Sequence, residues 1–91
     1  MTTERIYEKT LARLGVTAKQ LRSRRHRQAY VDARSLVAAV LMQQPFMRQQ
    51  DVATLLGTSQ SAVSQLLVRH KNLLEVDFDY QRKWRTVCSR S

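Results

Sequence analysis

Apolar residues recur at helical spacing along nearly the whole of this chain. Ile6, Tyr7, Leu11 and Leu14 fall on one face of a first predicted helix, with Thr3 placed to cap its start and Gly15 suited to the position after its end. Thr17 can cap a short second helix carrying Leu21. A long third helix is expected from about Gln28 to Gln43, with Tyr30, Ala33, Val37, Val40 and Leu41 as its stripe and Leu36 and Met42 widening it. Pro45 follows, and the residue before a proline is pushed out of helical geometry, so the helix should stop there. Two shorter helices are expected over Gln49–Leu56 and Gln60–Lys71. Asp77 or Asp79 could cap a last one running through Phe78, Tyr80, Trp84 and Val87. Only Leu74 to Phe78 alternates with period two, and it reads as a loop, with a brief strand pairing as the alternative. The expectation is an all-α protein: a small helical bundle, one domain over residues 1–91, because this length leaves no room for a second core.

Composition alters the expected partner more than the expected fold. Hydrophobic residues at 43% and charged residues at 25% are ordinary for a globular chain, while two glycines and one proline leave little scope for a turn-rich β-sandwich. Cys88 is the sole cysteine, which excludes an internal disulfide or a cysteine-based zinc site. Sixteen Lys and Arg against seven Asp and Glu leave a net charge of +9. Such a surface suits a polyanion, either nucleic acid or an anionic membrane. The longest nearly apolar run, Leu36 to Met42, is far shorter than the roughly 20 residues of a spanning helix. Met1 to Arg5 has no apolar signal-peptide core behind it, and Glu4 and Glu8 are unlike a mitochondrial transit peptide. The expectation is a cytoplasmic, nucleoid-associated protein with no membrane partner.

Gln49 to Leu66, QQDVATLLGTSQSAVSQL, is the most informative stretch. Two short helices crossing steeply need a small residue at the crossing, which Ala53 supplies. The tight turn between them needs left-handed backbone, which Gly57 adopts without strain. Val63, Leu66 and Leu67 then face the core, leaving Gln60, Ser61, Ser64 and Gln65 outside, short, polar and uncharged. A helix lying in a major groove wants such residues, because Gln reads adenine in bidentate fashion and Ser contacts bases or phosphate. A plain helical hairpin within a bundle is the bland alternative. Gln49, Ala53, Gly57 and Val63 match the Gln-x3-Ala-x3-Gly-x5-Val pattern, so the stretch resembles the helix-turn-helix of the lambda-repressor class, over about 49–69. The resemblance implies base contacts from Gln60 and Ser61.

Residues 19–34, KQLRSRRHRQAYVDAR, carry six Lys or Arg, one His and one acid. Arg22, Arg24, Arg25 and Arg27 cannot all point inward, so they are expected to form a cationic patch that meets phosphates or an adjacent minor groove; the alternative is a solvated charge run. A basic segment, then Tyr30 to Val37, then a helix-turn-helix resembles the C-terminal DNA-binding domain of the bacterial replication initiator DnaA, from roughly Leu21 to Trp84. That likeness implies a Trp-repressor-like helical fold, with Arg24, Arg25 and Arg27 as candidates for a minor-groove arginine. It departs at the turn: the initiator signature Gly-Gly-x-Asp-His-Thr/Ser-Thr-Val is replaced by Gly57-Thr58-Ser59-Gln60-Ser61-Ala62-Val63, so the initiator's Asp-His pair is absent and the target should differ. No ATPase domain is expected either, so initiation itself is not the expected role.

Other chemistry finds little support. His26 and His70 have no further ligands at metal spacing; His26 reads as part of the phosphate-facing patch and His70 as lying at the end of the recognition helix. Ser59, Ser61 and Ser64 lack a nucleophile elbow or nearby base, and no glycine-rich phosphate loop is present. Asp51 reads as first-turn charge favouring the helix dipole, Cys88 as a buried or idle thiol, and Tyr80 and Trp84 as core. Neither enzymatic activity, a metal nor a cofactor is expected. The leading expectation is sequence-specific binding of double-stranded DNA by a transcriptional regulator or replication accessory protein. Gln60, Ser61, Ser64 and Gln65 would enter the major groove; Thr58, Ser59, Arg69 and Lys71 would touch phosphates. RNA binding through the basic segment and a protein-interaction adaptor are the alternatives. A homodimer through the N-terminal or C-terminal helix is a further expectation, since paired half-sites raise affinity.

Overall fold

In a computed structural model the described residues, 3–22 and 28–88, form six helices: α1 (Thr3–Leu14), α2 (Ala18–Arg22), α3 (Gln28–Met42), α4 (Gln49–Leu56), α5 (Gln60–Val76) and α6 (Phe78–Cys88). Neither strand nor bridge occurs among the described residues. The all-α expectation is met, and most boundaries fall where periodicity put them. Backbone chemistry explains why. Gly15 and Gly57 take φ of +70° and +66°, each closing a helix with the reverse turn that an L side chain resists. At Gly15 the bonds run Gly15 N to Ala12 O and Val16 N to Leu11 O; at Gly57 they run Gly57 N to Thr54 O and Thr58 N to Ala53 O. The Thr17 hydroxyl accepts from Gln20 N at 3.1 Å while Thr17 N donates to Gln20 Oε1 at 3.0 Å, a reciprocal cap that lets a helix of five residues form. At the start of α1, Thr3 is already helical rather than a residue outside the helix.

α3 is the hub and packs against each of the other five helices. Its stretch from Ser35 to Leu41 is buried all round, with Leu36, Val37, Ala38 and Leu41 fully inaccessible. One side meets Tyr7, Leu11, Leu21, Val52, Leu56 and Val63; the other meets Tyr80 and Val87. Arg13 of α1 donates to the Thr86 and Val87 carbonyls, so a cation caps the last turn of α6 where the helix dipole favours it. No helix of the described residues is long and apolar enough to cross a membrane.

Three expectations need correction. Leu74 to Val76 is neither loop nor strand: α5 runs on to Val76, five residues past Lys71, because Leu66, Leu67, His70, Leu73 and Leu74 continue an inward stripe at helical spacing. The break falls at Asp77, whose carboxylate accepts from Tyr80 N at 3.1 Å and caps α6, settling the choice between Asp77 and Asp79. Phe78 does not join the apolar stripe of α6; it is 81% exposed, while Tyr80 and Val87 are buried and Trp84 is half-buried. Cys88, read as a buried or idle thiol, is exposed, so of the two only the idle reading stands.

Candidate nucleic-acid interface

Two packed helices and a glycine corner place the polar residues of α5. α4 is anchored by Val52, Ala53 and Leu56, all buried, and Ala53 at 5% exposure leaves no side chain bulky enough to hold α5 away. At the start of α4, Asp51 Oδ2 accepts from Arg48 N at 3.0 Å, so its carboxylate serves as a cap as well as a dipole charge. The turn at Gly57 leads to Ser59, which caps α5: its hydroxyl accepts from Ala62 N at 3.1 Å. Val63, with no exposed surface, then fixes the rotation of α5 about its axis. With Val63 inward, Gln60, Ser61 and Gln65 are all exposed, as are Thr58 and Ser59 in the turn.

Ser64 belongs to another face. It is half-buried, and its hydroxyl donates to Gln49 Oε1 at 2.5 Å, tying α5 to the first residue of α4. Arg69 is likewise committed inward: its Nη2 and Nε lie 3.0 and 3.3 Å from Asp32 Oδ1 on α3. Lys71 is exposed. The stretch Val31-Asp32-Ala33-Arg34 thus acquires separate structural roles. Asp32 holds Arg69, Ala33 is buried, and Arg34 Nε donates to the Leu21 carbonyl at 2.6 Å, securing the end of α2. Arg24, Arg25, Arg27 and His26 lie outside the described residues, as does the side chain of Arg22.

A cleft of about 620 Å³ runs between these parts. Thr58, Gln65 and Arg69 border it from the turn and α5, and Leu21, Val31 and Arg34 border it from α2 and α3. Gln65 is thus the outward residue of α5 that shares this cleft with α2 and α3.

His70 sits in the middle of α5, not at its end, and faces inward. Its Nδ1 is 2.7 Å from the Tyr80 hydroxyl, and its ring meets the Trp84 ring edge-on at 4.4 Å between centroids. Burial lowers the His70 pKa. Burial first, and the Asp32 carboxylate second, raise that of Tyr80. Partial desolvation of the otherwise exposed Cys88 raises its thiol pKa, which makes it a poorer nucleophile at neutral pH. Sequence reasoning overlooked one outward residue. Val68 is 61% exposed and stands three positions after Gln65 and seven after Ser61, on the same stripe. Its signal was present, a β-branched apolar residue off the core stripe of a helix, but it is a weak one.

No protein-family model matches this chain, and comparison with curated proteins and with solved structures yields no match.

Proposed function

We propose that this protein binds double-stranded DNA through a helix-turn-helix made by α4, the Gly57 turn and α5, as a regulator or replication accessory factor. The observation that carries this reading is the rotation of α5. Val63, fully buried, turns three uncharged hydrogen-bonding side chains, Gln60, Ser61 and Gln65, to solvent in the first two turns of a well-anchored helix. Those side chains can exchange bonds to water for bonds to base edges, with no charge to desolvate. Thr58, Ser59 and Lys71 flank them and serve as phosphate contacts. Ser64 and Arg69 take lesser parts than their positions suggested: Ser64 positions α4 against α5, and the Arg69 charge is matched by Asp32. Arg22, Arg24, Arg25 and Arg27 enter by sequence alone, as the cations most concentrated in a chain of net charge +9. The likeness to the initiator's DNA-binding domain belongs to this same proposal.

Gel retardation of random-sequence duplexes tests it, at about 50 mM salt, where nonspecific affinity is strongest. A retarded complex is expected, competed better by duplex DNA than by duplex RNA of equal length. Absence of any complex would point to an adaptor that docks on an acidic protein. Stronger competition by RNA would shift the assignment to RNA.

A further inference from the structure

The corner between α5 and α6 differs from the rest of the surface in both polarity and charge. Val76 is 77% exposed and Phe78 is 81% exposed, the two highest values among the exposed large hydrophobic residues described. Glu75, Asp77 and Asp79 interleave with them, three of the chain's seven acids within five positions. Glu75 and Asp79 are exposed, whereas Asp77 is occupied in capping α6. Local packing is supplied by Leu73, Leu74, Tyr80 and Trp84, so the fold makes no use of the Val76 and Phe78 side chains. Two large apolar groups held in water at a fixed corner favour burial by a partner.

DNA is not that partner, because carboxylates beside phosphates repel. The corner also stands well away from the proposed reading end: Val76 lies roughly 24 Å along the axis of α5 from Gln60, at the helical rise of about 1.5 Å per residue. Its complement is a basic surface, and the chain itself carries basic residues in excess. Outside this corner only Glu4, Glu8, Asp32 and Asp51 oppose all sixteen Lys and Arg. In free solution two copies of charge +9 repel each other. Phosphates neutralise much of that charge once both copies lie on DNA, leaving the short-range attraction in place.

We propose that the Val76–Phe78 corner docks on the basic flank of a second copy of this chain bound at the neighbouring site on DNA, a head-to-tail contact that makes binding cooperative. A two-fold contact of corner on corner would lay Glu75 and Asp79 against the same acids of the second copy, which like-charge repulsion disfavours; a corner-on-flank contact passed from one copy to the next instead requires direct repeats. The inference rests on the DNA-binding reading. Its test therefore uses duplexes carrying one or two copies of a site selected with the full chain, in direct or inverted orientation, with spacing stepped through one helical turn. At some direct-repeat spacing the second copy should bind roughly tenfold tighter than the first, the ratio expected when part of the two side chains' burial is realised. Phe78→Ser and Val76→Ser should each abolish that gain while single-site affinity stays within about twofold; both residues are exposed, so neither change disturbs the core. Absence of cooperativity at every spacing, its confinement to inverted repeats, or its persistence in both variants would overturn the inference. Failure of single-site binding would instead overturn the DNA reading itself.

Discussion

Val68 is a β-branched side chain standing in water in the middle of α5, on the stripe shared by Ser61 and Gln65. Such residues lose side-chain freedom in helices, so propensity does not account for it there. On the DNA reading its partner is a thymine methyl group, the apolar feature that the major groove offers. Replacing thymine by uracil at the contacted position should weaken wild-type binding about fourfold, the ratio that corresponds to burial of one methyl group. Val68→Ala should make binding indifferent to that methyl. If both proteins respond equally to every thymine-to-uracil change, Val68 faces no base. His70 carries a different expectation. Its ordinary pKa is 6.5 and burial in the fold lowers it, so the unfolded chain takes up a proton more readily than the native one. Stability present above about pH 6.5 therefore declines as the pH falls through that value towards the lowered native pKa. The Tm should fall between pH 7.5 and pH 5.5, and His70→Gln should flatten that fall. An unchanged slope in the variant would mean that the ring is solvated and the contact with Tyr80 is loose.

At the scale of elements, helix ends set the design. Gly57 is left-handed and orients α5; Gly15 is left-handed too and has open space where a Cβ would stand. Gly15→Ala thus isolates the backbone cost, about 1–2 kcal/mol. Gly57→Ala should lose at least as much in urea unfolding and, in addition, weaken DNA binding by tilting α5. Losses near zero in both variants would contradict the left-handed turns. Helix positions were legible because capping and periodicity act within a few residues: Thr17 with Gln20, Gly57 after Leu56, Val63 and Leu67 four apart. Leu74 to Phe78 misled because a period-two pattern there arises by coincidence, as an inward helical stripe ends and an exposed corner begins. Long-range partners were not legible at all. Ser64 bonds to Gln49, fifteen residues away, and Arg69 to Asp32, thirty-seven away, and nothing local in a serine or an arginine announces such a claim on it. The outward residues Gln60, Ser61 and Gln65 were legible because they occupy the helical positions that Val63 leaves over.

At the scale of the molecule, the DNA-binding reading assigns strength of binding to the charge of +9 and choice of sequence to the face of α5. On that reading the proposed phosphate contacts are Arg22, Arg24, Arg25, Arg27 and Lys71, once Arg69 is assigned to Asp32. Five such contacts predict a slope of about −4.5 for log K against log salt concentration. Titrations across a salt series should recover it, and a slope near −1 would show that the cations do not meet the backbone. The central claim is that α5 reads bases. Selection from random duplexes, run in parallel on the wild-type chain and on Gln60→Ala, addresses it most directly. The wild type should return a recurrent motif; Gln60→Ala should bind that motif more weakly by about 1–3 kcal/mol and lose preference at one position while keeping the others. Failure of the wild type to enrich any motif, or an identical motif and affinity in the variant, would contradict it.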